Sequence, residues 1–218
     1  MFLKTSIKYQ VSGIRHQVPG IKKLCYLLFV SCCLLPVTCA AQNKWKLYEQ
    51  SFLTGWGWGK DSLNLPEGNY HPLFFNYRVG VTHSKLHITI NDKLKIDFEV
   101  FAEPQFNLVF LMPKTGGTIL HQEAGINFGY QPVLHLNKFV SVYTYISAGP
   151  HYFNTPTERQ AKGFIFSDNM GAGLWLHLPK HFYINTMFKI RHMSNANTRY
   201  PNKGINTLNS LIGFGITY

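Results

Sequence analysis

Two residues that could perform chemistry, His192 and Ser194, stand two positions apart near the end of an alternating stretch, 182–194. Alternation of apolar and polar residues is typical of a β-strand, in which successive side chains point to opposite faces. His192 and Ser194 therefore share a face. A hydroxyl beside an imidazole is the combination that attacks esters and amides, with the imidazole accepting the hydroxyl proton. The alternative is a band of polar side chains at a membrane interface.

A third group follows a loop rich in Asn, Gly and Pro, at Asn206. If the next strand is antiparallel to the first, Asn206 would lie beside His192, because directly opposite side chains are neighbours in such a pair. A histidine base needs a partner that fixes its tautomer. The amide of Asn206 could do so, although it lacks the charge of a carboxylate. Glu103 and Glu123 lie on the inward-facing sides of their predicted strands, across the sheet from His192, and are therefore poor candidates for its partner.

These residues need rigid strands to position them, and the alternation predicts eight. The loop or lead-in segments are Gln42–Gln50, Lys60–Asn69 and the stretch Thr82–Lys93, which has room for a small extra hairpin. The predicted strands are Phe52–Gly59, Tyr70–Val81, Leu94–Phe110, His121–Leu134, Phe139–Phe153, Gly163–Leu178, Phe182–Ser194 and Thr207–Tyr218.

Strand three indicates which side of the sheet faces what. Asp97, Glu99 and Glu103 share one face, opposite a continuous apolar face. Carboxylates inside and apolar side chains outside are typical of a membrane barrel, whose strands need about 9–11 residues to cross. We therefore predict an all-β fold, an eight-stranded antiparallel transmembrane β-barrel of the outer membrane. The alternative is a soluble barrel of lipocalin type. Pro104 predicts a bulge or an interrupted ladder.

The same topology predicts which connections share an end of the barrel. Segments 60–69, 112–120, 155–162 and 195–206 would lie at the outer end, and the turns 136–138 and 179–180 at the periplasmic end. Because side chains fill an eight-stranded barrel, a porin is not expected.

The first 41 residues have a different composition. Five basic residues and no acid precede an apolar run from Leu24 to about Val37, and small residues follow. This pattern is typical of a secretory signal peptide, with cleavage after Ala40 or Ala41, and leaves residues 42–218 as one barrel domain. An uncleaved anchor is the alternative. All four cysteines lie in this leader, so the mature chain is expected to have neither disulfides nor a cysteine-ligated metal site.

Charge and residue spacing limit the partners. The full chain carries a net charge of +11, and the mature part, with 16 basic residues against ten acids, carries +6. Such a charge favours an anionic surface such as phosphorylated lipid. No basic cluster indicates nucleic acid, and the ten histidines show no metal-ligand spacing. We expect no metal and no cofactor.

The motif around the site resembles a known family. His192-x-Ser194-Asn195-Ala196 and Pro201-Asn202-x-Gly204-Ile205 are similar to the signature of the PagL-type lipid A deacylases, often labelled acyloxyacyl hydrolase-like. That resemblance implies an outer-membrane barrel with an exterior Ser-His-Glu triad, which hydrolyses the ester-linked 3-position acyl chain of lipid A.

The resemblance also implies roles for individual residues. It makes His192 the base and Ser194 the nucleophile, and assigns Asn202 to the oxyanion environment, with Asn195 and Asn197 in the same loop. The sequence departs from the family at two positions. Asn206 replaces the triad glutamate, and Asn197 stands where glycine is frequent, although asparagine also tolerates a left-handed backbone.

Two functions remain open on the sequence. The first is an esterase that deacylates lipid A, the lipid part of lipopolysaccharide. The second is a non-enzymatic outer-membrane barrel with a degenerate site. A homodimer also remains open. Basic residues of the outer loops are candidates for holding lipid phosphates: Lys60, Lys114, Arg159, Lys162, Arg199 and Lys203.

Overall fold

Eight antiparallel strands form a closed barrel in which β1 also pairs with β8. The structure, a computed structural model, describes residues 45–59, 70–90, 94–112 and 116–218, without the side chains of 84–86. The predicted signal peptide, residues 1–41, lies outside the described residues. The strands are β1 (Trp45–Trp58), β2 (Tyr70–Ile90), β3 (Leu94–Leu111), β4 (Ile119–His135), β5 (Val140–Phe153), β6 (Gly163–His177), β7 (Phe182–Ser194) and β8 (Ile205–Thr217).

The orientation of β3 confirms the predicted arrangement of faces. Its acidic and amide side chains point inward and are buried: Asp97, Glu99, Glu103, Gln105 and Asn107. The outer surface carries large apolar side chains, among them Phe128, Ile146, Phe164, Met170, Phe188 and Phe214, each more than half exposed or at half exposure. A soluble barrel has an apolar interior and a polar exterior. This barrel has the reverse distribution, which is that of a transmembrane barrel.

Two strand boundaries were predicted wrongly. β1 begins at Trp45, within the predicted lead-in, because a register shift between Leu47 and Glu49 lets the earlier residues continue the pairing with β2. β2 continues to Ile90, because a second shift between Thr82 and His87 restores pairing with the start of β3. The segment predicted as irregular is thus an extension of the β2–β3 hairpin. Bulges of this kind break the alternation on which the prediction depended.

Pro104 interrupts one ladder without shifting its register. The β2–β3 pairs Asn76–Gln105 and Val79–Ala102 lie on either side of an unpaired step. The β3–β4 ladder runs unbroken past the same residue, with Pro104 opposite Ile126. Proline has no N–H to donate, so the interruption falls on the β2 side.

Side chains fill the interior, as predicted for eight strands. Buried ion pairs join Arg78 to Glu103 and Arg191 to Glu123. An apolar cluster closes the end of the barrel that carries the β7–β8 connection, which we call the loop rim; it consists of Tyr70, Val109, Phe153, Ile165, Met193 and Ile205. A second, larger cluster includes Phe74, Phe101, Tyr143, Tyr145, Trp175 and Tyr183.

No helix in the described part of the chain is long and apolar enough to span a membrane.

Candidate active site at the loop rim

His192 and Asn206 face each other across the β7–β8 ladder, as the sequence predicted. The distance from His192 Nδ1 to Asn206 Oδ1 is 2.6 Å. Because an amide oxygen only accepts hydrogen bonds, this contact requires a proton on Nδ1, and Nε2 is then the basic nitrogen. His192 is exposed on the outer face, and its neighbours in the chain, Arg191 and Met193, are buried inside. The two strands therefore hold the imidazole on the lipid-facing side.

Ser194 is the last residue of β7 and shares the outer face with His192. Its side chain is half-buried, and Phe166 of β6 lies opposite. Within β7 as the structure describes it, no hydrogen bond joins the Ser194 hydroxyl to the His192 ring. Nucleophile and base often make a long contact when no substrate is present. The two residues share the outer face of β7, two positions apart.

Gly204 closes one side of the imidazole. Its φ of +68° lies in the left-handed region, and a Cβ built on it would stand 2.7 Å from His192 Cε1. Glycine is thus required twice at this position, for its backbone conformation and for the space that the ring occupies.

The asparagines of the loop form a network that shapes the turn after Ser194. Asn202 Oδ1 accepts from the Asn195 backbone N–H at 3.0 Å, and Asn202 Nδ2 donates to Asn197 Oδ1 at 2.9 Å. The Asn195 side chain donates to the carbonyl oxygen of Arg199 at 2.7 Å. Asn197 has φ +61°, so it adopts the left-handed backbone that asparagine was predicted to tolerate. Ala196 has φ +50°. These contacts fix the conformation of the loop.

Arg159, from the β5–β6 loop, holds the far end of the same segment. Its Nε donates to the Gly204 carbonyl oxygen at 3.0 Å and its terminal nitrogen to the Lys203 carbonyl oxygen at 3.1 Å. The Lys203 N–H donates back to the Arg159 carbonyl oxygen at 2.8 Å. Of the cations predicted to hold lipid phosphates, Arg159 is thus engaged with protein backbone.

Three other cations of this set have exposed side chains at the loop rim, Lys162, Arg199 and Lys203. Lys162 and Arg199 line a shallow cleft of about 480 Å³ together with Pro156, Ala161, Tyr200 and Pro201. The Tyr200 side chain is 88% exposed at its edge. Lys60 and Lys114 lie outside the described residues. The cleft adjoins the loop that carries Gly204, so a ligand bound there would lie beside the site.

The acidic residues near the site fall into two groups, those that point into the barrel and one on its outer face. Glu123 is buried against Arg191 and His151, and Glu103 against Arg78, so neither reaches His192. Asp168 of β6, in contrast, lies opposite His192 on the outer face. The sequence prediction missed it. Its signal was a single acid within the outward apolar set of strand six, between Phe166 and Met170.

A second Ser-His-Asp arrangement lies at the opposite end of the barrel, inside it. His135 Nε2 is 2.9 Å from Asp97 Oδ2, and His135 Nδ1 is 2.8 Å from Ser141 Oγ. Ser141 Oγ is also 2.7 Å from His177 Nε2. Ser141 is 0% exposed, so no substrate can reach its hydroxyl. This network satisfies buried polar groups, and exposure on the outer face is what separates the candidate site from it.

Within the described ranges, no group of three or more His, Cys, Asp or Glu side chains is arranged to hold a metal ion.

Several solved structures of small outer-membrane barrels are similar in fold. The outer membrane enzyme PagL has 12% identity and a TM-score of 0.46, with 76% of this chain and 97% of that chain covered. The Yersinia pestis protein Ail has 15% identity and a TM-score of 0.36, with 78% and 99% covered. The N-terminal barrel of Pseudomonas aeruginosa OprF has 11% identity and a TM-score of 0.36, with 79% and 100% covered.

A search of curated proteins found no match. The family model for "Lipid A 3-O-deacylase (PagL)" matches residues 85–214, which is 130 of the 218 residues. The matched range runs from β2 to β8 and includes every candidate site residue described above. The chain therefore belongs to the PagL family of outer-membrane lipid A deacylases.

Proposed function

We propose that this protein is a serine esterase that removes an ester-linked acyl chain from lipid A, with Ser194 as nucleophile and His192 as base. The observation that carries the proposal is the 2.6 Å contact between His192 Nδ1 and Asn206 Oδ1, which leaves Nε2 as the basic nitrogen of a ring that shares its strand face with Ser194. A nucleophile, a base and a group that orients the base are the three parts that such catalysis needs.

The reaction would begin with attack of Ser194 Oγ on the acyl carbonyl carbon. The hydroxyl proton passes to His192 Nε2, and the Nδ1–H bond to Asn206 keeps the ring oriented. His192 then returns the proton to the departing sugar oxygen, which leaves an acyl-serine. Water then attacks the acyl carbonyl as His192 Nε2 accepts its proton. The bond to Ser194 Oγ breaks, His192 returns the proton to that oxygen, and the fatty acid is released.

Asn202 and Asn195 support this chemistry from the loop. Because Asn202 Oδ1 accepts the Asn195 N–H, the Asn202 amide nitrogen is turned toward Asn197. An amide nitrogen has two hydrogens, so one remains for the oxyanion that forms at the acyl carbonyl. Asn197 would fix the direction of that amide through its own oxygen.

Substrate would reach the site laterally from the membrane. Ser194 and His192 lie on the same outer face as Phe164, Phe166 and Ile190, which are 53%, 39% and 46% exposed. Acyl chains can pack on these side chains while the phosphorylated sugar remains at the interface. The cleft with Lys162 and Arg199 is our candidate for the phosphate contact, since ammonium and guanidinium groups bind phosphate by charge-assisted hydrogen bonds.

This proposal includes export through the predicted leader. We expect the mature chain to begin near residue 41 or 42 and to fractionate with the outer membrane. N-terminal sequencing of the membrane fraction tests both, and recovery from the soluble periplasm would contradict lateral entry.

Lipid A mass spectrometry of cells with and without the gene tests the activity. The expected result is the loss of one acyl chain in cells that express the wild-type protein, and no loss with Ser194→Ala or His192→Ala. Heat-modifiable migration on a gel shows that each variant folds. Full activity of Ser194→Ala would make the nucleophile assignment wrong.

Unmodified lipid A in cells that contain the folded wild-type protein would favour the alternative, a non-enzymatic barrel with a degenerate site. The observation behind this alternative is Asn206, which replaces the acid of the family's triad. Crosslinking in intact membranes would show whether two copies associate as a homodimer.

A further inference from the structure

The carboxylate of Asp168 lies across the sheet from His192, on the side away from Asn206. β6 and β7 pair with Asp168 opposite His192 and with Phe166 opposite Ser194. β8 places Asn206 opposite His192 on the other side. In an antiparallel pair, the Cβ atoms of directly opposite residues are about 4.5–5.5 Å apart. In the sheet, His192 therefore has an aspartate as its β6 partner and an asparagine as its β8 partner.

Asp168 differs from every other acid in the described strands. The others point into the barrel and are buried: Glu49, Asp97, Glu99, Glu103 and Glu123. Asp168 is exposed on the outer face, and among the described residues its carboxylate has no hydrogen bond or ion pair. A carboxylate among lipid-facing apolar side chains costs free energy, so an ionisable side chain in such a position is a candidate for function.

We propose that Asp168 supplies the negative charge that Asn206 cannot supply. On this view the work of one triad acid is divided between two strands. Asn206 Oδ1 accepts the Nδ1 proton and orients the ring, while the Asp168 carboxylate stabilises the imidazolium that forms when Ser194 attacks. Asp168 takes no proton, as the acid of a serine triad takes none. The inference rests on the proposed esterase function of the same site.

Of the three residues that pair with or contact His192 from neighbouring segments, Asp168, Asn206 and Gly204, Asp168 is the one that carries a charge. Asn206 faces His192 from β8 and is neutral, and Gly204 faces it from the loop. Arg159 contacts the carbonyl oxygens of Gly204 and Lys203 from the far side of that loop. Arg191, the neighbour of His192 in the chain, points inward and is paired with Glu123.

The test compares Asp168→Asn with Glu158→Gln as a matched control. Both substitutions remove one acid from the same end of the barrel and nearly conserve side-chain size. Glu158 is exposed in the β5–β6 loop and does not pair with His192. A general change of surface charge, which would alter affinity for anionic lipid, therefore affects both variants alike. Asp168→Glu keeps the charge and serves as the rescue variant.

The first measurement does not depend on turnover. Protonation of His192 is followed by NMR of histidine-labelled protein in detergent micelles, with its signal identified by loss in His192→Gln. Because a neighbouring carboxylate favours the imidazolium, Asp168→Asn should move the midpoint of the titration to lower pH. Glu158→Gln and Asp168→Glu should leave it near the wild-type midpoint. An unchanged midpoint in folded Asp168→Asn would overturn the inference.

The second measurement is deacylation of purified lipid A. We expect Asp168→Asn to lower kcat about 10- to 100-fold, less than the roughly 10⁴-fold cost of an amide at a buried triad position, with little change in KM. The acid limb of its pH–rate profile should move to lower pH. If wild type shows no turnover but the NMR midpoint shifts, the proposed function fails and the coupling of Asp168 to His192 stands. If turnover is normal and the midpoint does not move, only the role of Asp168 fails.

Discussion

Gly204 and His192 lie so close together that a single methyl group on Gly204 would clash with the imidazole ring. The added Cβ would lie 2.7 Å from His192 Cε1, and the φ of +68° at Gly204 is itself unfavourable for a residue with a side chain. The loop therefore determines where the proposed base can stand, although it contributes no side chain there.

We predict that Gly204→Ala lowers kcat by about 10²-fold, since a displacement of about 1 Å at a catalytic group has an effect of that size. Deacylation by the purified variant measures it. Gly117→Ala is the control, because Gly117 has φ +87° and no atom within 4 Å of its added Cβ. It introduces the same backbone strain without the contact. Equal losses in both variants would attribute the effect to loop strain alone.

Much of the fold was predictable from alternation. Strand seven was predicted with its observed bounds, Phe182–Ser194, because each of its residues follows the two-residue period without a bulge. The ends of β1 and β2 were not, because register shifts near Leu47 and Thr82 break that period while the backbone continues to pair. A bulge leaves no reliable mark in a single sequence.

The candidate site, like the fold, was predictable from the sequence only in part. The contact of His192 with Asn206 was predictable, since it needs only two neighbouring strands and the short loop between them. Asp168 was not singled out, because its pairing depends on the register of the β6–β7 hairpin, which is set by the turn Pro179–His181 with Lys180 at φ +62°. The loop clamp by Arg159 joins residues more than 40 positions apart and has no local pattern.

The two arginines of the loop rim should affect different kinetic constants. Arg159 holds the backbone of Lys203 and Gly204, whereas Arg199 lines the open cleft. We predict that Arg159→Ala lowers kcat, because it releases the loop that confines His192. Arg199→Ala should instead raise KM by about tenfold, the effect of losing about 1.4 kcal/mol of substrate binding. Kinetics on lipid A with and without its phosphates measure this; a KM effect that persists on dephosphorylated lipid would contradict the phosphate assignment.

Ser141 provides a test of whether residue types or exposure define the site. Its hydroxyl lies between His135 and His177, yet it is fully buried. We predict that Ser141→Ala keeps deacylation within about twofold of wild type and lowers the free energy of unfolding by about 1–3 kcal/mol, because two half-buried imidazoles lose a partner. A fluorophosphonate probe should label wild type and Ser141→Ala but not Ser194→Ala. Labelling of Ser194→Ala at Ser141 would contradict this.

The last prediction concerns the amide of Asn206. Its Oδ1 fixes the proton on His192 Nδ1 at 2.6 Å. Asn206→Ala removes that contact, so the ring can rotate and the tautomer is no longer set. We predict a fall in kcat of roughly 10- to 100-fold, with the barrel still heat-modifiable. Unchanged turnover would show that Asn206 has no role in orienting His192.

Asn206→Glu tests the same position in the other direction. A carboxylate there would both accept the Nδ1 proton and stabilise the imidazolium, which is the arrangement implied by the family's triad. If Asp168 already provides the charge, Asn206→Glu should raise kcat only slightly in the wild-type background, but should restore most of the activity that Asp168→Asn loses. The opposite outcome is a large rise in kcat from Asn206→Glu in the wild-type background, together with no loss of kcat in Asp168→Asn for the double variant to restore. It would show that His192 works without an acid in this chain and that the amide of Asn206 alone limits the rate.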